Sequence, residues 1–160
     1  RLINSLRLCF THFIDTSKLS KNEFRKQLIF VALGSYKNDF TVTFVSFGYK
    51  RSVPQDVETV FDVRLLPNPY WEPELKDLTG LDEKIIRFVL DNKVTQEYLK
   101  HVISYLDYYL PRLKESDRTH ATIGVACSGG QHRSVVIAEY LNKHYSKKFN
   151  TRVIHKELMK

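Results

Sequence analysis

Ala121-Thr122-Ile123-Gly124-Val125-Ala126-Cys127 runs directly into Ser128-Gly129-Gly130-Gln131-His132-Arg133-Ser134-Val135. The first half is a continuous, mostly apolar run, the pattern of a strand buried on both faces of a parallel sheet. The second half leads into a helix predicted from about His132 through Tyr145. Strand, glycine loop and helix in this order place the loop beyond the carboxyl end of a strand, where open α/β sheets bind ligands. Gly129 and Gly130 let backbone N–H groups approach a ligand closely. The helix N-terminus adds unpaired donors and a partial positive charge. His132 and Arg133 supply further donors, and a guanidinium can grip two phosphate oxygens at once. Ser128 and Ser134 add hydroxyls. Together these residues read as a site for a tetrahedral anion.

Outward from this loop, Thr41-Val42-Thr43-Phe44-Val45-Ser46-Phe47 is β-branched and aromatic, and Thr59-Val60-Phe61-Asp62-Val63-Arg64-Leu65 follows as a second strand. Gly48 to Pro54 is a loop between them. Pro67-Asn68-Pro69-Tyr70-Trp71-Glu72-Pro73 is irregular, because its prolines remove donors and restrict their predecessors. So many aromatic and polar groups in a stiff loop suggest a shaped surface. A short helix is expected over Glu83–Leu90 and a longer one over Thr95–Leu113, kinked or ended by Pro111. Its tyrosines, Tyr98, Tyr105, Tyr108 and Tyr109, read as core and rim packing. Thr151–Ile154 is a last short strand. The alternation implies an α/β fold, a mostly parallel sheet flanked by helices with right-handed crossovers.

Nearer the start, Ser20 and Glu23 form a capping box that opens a helix through about Ala32. Gly34 and Ser35 read as its stop, and Lys37-Asn38-Asp39 as a polar connection. Residues 1–37 therefore separate from a main domain over 38–160.

Of 160 residues, 42% are hydrophobic and 27% charged, which suits a water-exposed globular chain with one ordinary core. No apolar run approaches the roughly 20 residues needed to cross a bilayer. Nothing at the start reads as a secretory signal. Cys9 and Cys127 lie far apart and give no CxxC spacing, so a zinc site is not expected and a reducing, cytoplasmic setting is. The net charge of +7 points to an anionic partner without naming one. Lys143, Lys147, Lys148, Arg152 and Lys156 cluster near the end with aromatics between them. They read either as a solvated surface or as a contact for nucleic-acid phosphates.

The spacing from Cys127 to Arg133, C-x5-R followed by Ser134, resembles the phosphate loop of cysteine-dependent phosphatases. In that reading Cys127 is a thiolate nucleophile, Arg133 binds the phosphate and Asp62 protonates the leaving group. Ala126, however, stands where that family usually has a histidine.

A wider resemblance covers about residues 14 to 158. Ile14-Asp15-Thr16-Ser17, Ser46-Phe47-Gly48-Tyr49-Lys50, Phe61-Asp62-Val63-Arg64, Leu66-Pro67-Asn68-Pro69-Tyr70, Leu78-Thr79-Gly80-Leu81-Asp82, the Cys127–Val135 loop and His155-Lys156-Glu157-Leu158 occur in one order. This series resembles the C-terminal domain of the RapZ-like RNase adapter proteins, also described as YvcJ-type nucleotide-binding proteins. Ser128 replaces the family's usual threonine there and keeps the hydroxyl. The resemblance implies a fold similar to the sugar-phosphate-binding part of phosphofructokinase. It also implies a missing N-terminal P-loop domain for ATP or GTP, of which residues 1–37 would be the helical tail and linker. The chain has no G-x-x-x-x-G-K-[ST], so no cofactor is expected in it. By the same resemblance the ligand is a phosphorylated sugar such as glucosamine-6-phosphate, the partners are a small regulatory RNA and an endoribonuclease, and the protein self-associates. The implicated ligand residues are Ser128, Gly129, Gly130, His132, Arg133 and Ser134, with Asp62, Arg64, Asn68 and Lys50 at the rim. Asp62 and Arg64 also fit a structural ion pair that steadies the loop. A sensor without catalysis is the favoured expectation and the Cys127 phosphatase its alternative.

Overall fold

In a computed structural model the described residues are 14–33, 40–51, 53–116 and 118–158. The expectations for residues 1–13, for the Gly34–Ser35 stop, for Lys37–Asp39 and for Cys9 fall outside them. The chain divides into two compact units, Arg1–Asn38 and Asp39–Lys160.

In the first unit, helix α1 spans Lys21–Leu33. Its start is the expected capping box. The Ser20 amide donates to Glu23 Oε2 at 2.8 Å, and the Glu23 amide donates to Ser20 Oγ at 3.3 Å. Two donors that the helix itself cannot satisfy are thereby paired.

In the second unit, β1 (Thr41–Gly48), β2 (Thr59–Asp62), β3 (His120–Cys127) and β4 (Asn150–His155) form a four-stranded sheet in the order β2-β3-β1-β4. Every pairing is parallel, so the sheet is wholly parallel. Helices α2 (Glu83–Leu90) and α3 (Lys93–Glu115) link β2 to β3, and α4 (Arg133–Tyr145) links β3 to β4. Register decides which side chains meet. Phe44 stands opposite Ile123 and Val153, whereas Val45 stands opposite Gly124 and Ile154. Val42, Phe44, Ile123 and Val125 share one face, packed with Ile85, Val89, Leu106, Leu110, Ile137 and Leu141 of the helices into a single apolar core. On the other face Thr43, Val45, Thr122, Ile154 and Lys156 join Pro54–Asp56 around a shallow cleft.

Three boundaries differ from expectation by two residues or more. The second strand stops at Asp62 rather than Leu65. The Asp62 carboxylate accepts the Arg64 amide at 2.9 Å and Leu66 N bonds back to Val63 O, which turns the chain. The long helix begins at Lys93, because Asn92 Oδ1 accepts the Val94 amide at 2.9 Å. It also runs through Pro111 to Glu115, held on the core by the buried Leu106 and Leu110. No helix among the described residues is long and apolar enough to cross a membrane.

Candidate ligand-binding site

The 127–134 loop leaves β3 between two neighbouring strand ends. Tyr49 N donates to Cys127 O at 2.9 Å, Lys50 N to Ser128 O at 3.1 Å, and Val63 N to Ala126 O at 2.8 Å. Gly130 adopts φ +76°, a backbone state that L side chains avoid. A Cβ there would overlap Glu157 Cγ and lie 2.7 Å from Gly48 N. Glycine is therefore required at 130 by backbone and packing together. Gly129 has open space where a Cβ would stand, so its bareness clears the mouth of the site and serves no packing need.

His132 and Arg133 are turned to the fold as much as to any ligand. His132 is 8% exposed, and its Nε2 lies 2.7 Å from Leu78 O. Gly80 N donates to Gln131 O at 2.8 Å, which fastens the Leu78–Asp82 segment to the loop. Thr79 closes that segment by donating its amide to Asp82 at 2.7 Å and its hydroxyl to the same oxygen at 3.0 Å. Those bonds hold the Asp82 carboxyl below its usual pKa. Arg133 is 5% exposed, and its Nη1 donates to Arg64 O at 2.7 Å and Leu66 O at 3.0 Å. One guanidinium nitrogen thus anchors the proline loop. Arg133 Nε is buried and has no hydrogen-bond partner among the described residues. Burial lowers the pKa of this guanidinium, and the nearby Cys127 and Asp62 oppose the shift.

At α4 the N-cap position is His132, whose side chain makes no capping bond. The first helical bond at this end is Val136 N to His132 O, so the amides of Arg133, Ser134 and Val135 precede the ladder. One loop amide is already used: Gly130 N donates to Cys127 Sγ at 3.1 Å. The same sulfur meets Ser134 Oγ at 3.2 Å.

A cavity of about 410 Å³ opens over this loop. It is lined by Lys50, Asn68, Ser128, Gly129, His132 and Arg133 of the expected ligand site, by Cys127, which only the phosphatase alternative places there, and by Tyr70, Trp71 and Gln131, which the sequence reading leaves outside it. The signal for the aromatics was present in the proline-rich loop, but nothing local says where such a loop folds over. Asp62, Arg64, Gly130 and Ser134 do not line the cavity. Ser134 is fully buried against Cys127. Asp62 and Arg64 form an exposed bidentate pair at 2.6–3.0 Å, and Arg64 lies 4.5 Å from the Tyr49 ring centroid. The Arg64 hydrogen bond holds the Asp62 carboxyl below its usual range. This is the structural ion pair foreseen as one reading of these residues. The lining residues include cations but no carboxylate.

The basic residues near the chain end are exposed but do not form one patch. Lys143, Lys147 and Lys148 lie near the start of β4, at the end of the sheet opposite the loop. Arg152 and Lys156 project on the sheet face away from the core, and Lys148 is paired with Asp107 at 2.9 Å.

A family model described as the RapZ C-terminal domain matches residues 40–159. The chain belongs to the RapZ C-terminal domain family. A nucleotide-binding protein of Hahella chejuensis is 44% identical over 147 residues, covering 91% of this chain and 51% of that protein. A nucleotide-binding protein of Shewanella sp. (strain ANA-3) is 40% identical over 159 residues, covering 99% of this chain and 56% of that one. Another, from Shewanella woodyi, is 39% identical over 148 residues, with 92% and 53% covered. The chain spans about half the length of the curated relatives it matches. In this RapZ-family domain the sequence blocks of the second unit meet at one place. FGYK and FDVR supply the flanking strand ends, LPNP is anchored by Arg133, LTG by Gln131 and His132, and the closing HKEL by Glu157 beneath Gly130.

Proposed function

We propose that this chain is a cytoplasmic metabolite-sensing regulatory domain that holds a phosphorylated sugar, glucosamine-6-phosphate or a relative, on the Ser128–Arg133 loop. The observation that carries the reading is the uncapped start of α4 under a cavity that Lys50 and Arg133 line and no carboxylate enters, with the Arg133 Nε buried and partnerless behind it. Unpaired N–H groups at a helix start, backed by a guanidinium edge, suit phosphate oxygens. Ser128, Gly129, His132, Arg133, Lys50 and Asn68 are the ligand residues, and Gly130 and Ser134 shape the loop behind them. Asp62 and Arg64 steady the rim.

An RNA partner would be met through Lys143, Lys147, Lys148, Arg152 and Lys156. Its presentation to an endoribonuclease and the self-association of the domain belong to the same proposal. The nucleotide in the relatives' names is assigned to the half of those proteins that this chain does not match, since no P-loop motif occurs in these 160 residues.

The phosphatase reading ranks below this one. Asp62 is outside the cavity and is held ionised by Arg64, which makes it a poor acid for a leaving group. Isothermal titration with glucosamine-6-phosphate, glucose 6-phosphate and inorganic phosphate tests the proposal. Binding of the sugar phosphates that competes with inorganic phosphate is expected. No heat and no competition at millimolar ligand would refute it.

A further inference from the structure

Trp71 is the only tryptophan of the chain and is 75% exposed, with Tyr70 beside it at 55%. Both line the cavity above the loop. A large aromatic left this open in a chain with a well-filled core calls for a use.

Its backbone is set in advance. Pro69, Tyr70 and Trp71 form a 3-10 turn whose cap, Asn68, accepts the Tyr70 amide at 3.4 Å on its side chain. Trp71 N bonds to Asn68 O at 3.3 Å and Glu72 N to Pro69 O at 3.0 Å. Upstream, Arg133 holds the carbonyls of Arg64 and Leu66. The residue proposed to grip phosphate therefore also anchors the segment that carries the indole. A backbone fixed in advance leaves only side-chain freedom to be lost when a ligand lands on the ring.

Tyr70 meets Trp71 edge-on, with centroids 5.6 Å apart and an interplanar angle of 79°. The two rings cannot sandwich a planar base between them. What they offer is one flat apolar face, with Asn68, Gln131, Lys50 and Ser128 around it as hydrogen-bonding partners. A sugar ring has the matching form, with C–H groups on a face and hydroxyls around the edge.

We propose that Trp71 is the specificity-determining residue of the site, stacking on the closed ring of a sugar phosphate and selecting cyclic sugar phosphates over open-chain polyol phosphates and nucleotides. This rests on the reading that the Ser128–Arg133 loop holds the phosphate.

Because Trp71 is the sole tryptophan, its emission reports the subsite directly. The intact chain is titrated with glucose 6-phosphate, sorbitol 6-phosphate, adenosine monophosphate and inorganic phosphate, by fluorescence and by calorimetry together. Glucose 6-phosphate is expected to bind and to change the emission. Inorganic phosphate is expected to bind more weakly and leave the emission unchanged, and sorbitol 6-phosphate to behave like it. Trp71→Ala should cost glucose 6-phosphate about tenfold in affinity and inorganic phosphate nothing, with Trp71→Phe restoring most of the loss. Glucose 6-phosphate binding with flat emission and no effect of Trp71→Ala overturns the inference and leaves the loop reading standing. Adenosine monophosphate binding more tightly than glucose 6-phosphate overturns the choice of ring. Failure of every phosphate to bind removes both.

Discussion

The Gly130 amide points back at the Cys127 sulfur, 3.1 Å away, while the Ser134 hydroxyl reaches the same sulfur at 3.2 Å from the first turn of α4. Cys127 is thus the internal pin of the loop, a 3% exposed residue joining strand end, glycine turn and helix start. Its sulfur takes one amide out of the set available to an anion and leaves the helix-start amides in that set.

Replacing Cys127 by Ala leaves the Gly130 N–H and the Ser134 hydroxyl without this partner. A loss of about 1–3 kcal/mol in denaturant unfolding is expected. Wild-type protein is expected not to turn over an aryl phosphate. Turnover that disappears in Cys127→Ser would reverse the ranking of sensor over phosphatase.

The paired glycines should separate cleanly. Gly130→Ala forces a side chain into a positive-φ position against Glu157 and Gly48, at a cost of roughly 1–3 kcal/mol or more. Gly129→Ala meets open space and should move stability by no more than about 0.5 kcal/mol. It should still weaken sugar-phosphate binding by narrowing the mouth. Equal destabilisation by the two changes would contradict the loop geometry.

Arg133→Lys keeps the charge and loses the fork. A lysine has one nitrogen for two carbonyls and an anion, so both jobs suffer. Affinity for sugar phosphate should fall by about tenfold or more. Thermal unfolding should come earlier as the Arg64–Leu66 turn loosens. Unchanged binding would remove Arg133 from the ligand site.

Asp62 should titrate below its ordinary 3.8, because the Arg64 hydrogen bond favours its charged form. A folded-state value below the unfolded one adds stability that is complete above about pH 4 and is lost as the pH falls through the folded value. The pair is substantially exposed, so the contribution is small. Carboxyl NMR should show the low midpoint in wild type and its return toward 3.8 in Arg64→Gln.

Among the basic residues, Lys147 and Lys148 should differ. Lys148 is engaged with Asp107 and lies 5.8 Å from the Tyr145 ring centroid, whereas Lys147 is exposed. RNA binding should weaken more with Lys147→Ala than with Lys148→Ala, and the salt dependence should flatten accordingly. Salt-independent RNA binding, or none, would strike out this partner.

The strand–loop–helix run from Ala121 to Tyr145 is local chemistry: apolar continuity, glycines and a helix start are written in neighbouring residues, so element order and the place of the loop could be read directly. The capping box at Ser20 and Glu23 is legible for the same reason, since its bonds span only three positions. What long-range packing alone decided is how side chains with several possible uses are spent. Arg133 is divided between carbonyls 67 and 69 positions away and the cavity wall, with its Nε buried and unpaired. Asp62 is drawn out of the site by Arg64, Ser134 is sealed against Cys127, and Trp71 is carried over the cavity by a loop whose destination depends on a distant anchor. A chain encodes what its neighbours can do together, but which donor meets which acceptor across the fold is settled only when the strand ends are brought side by side.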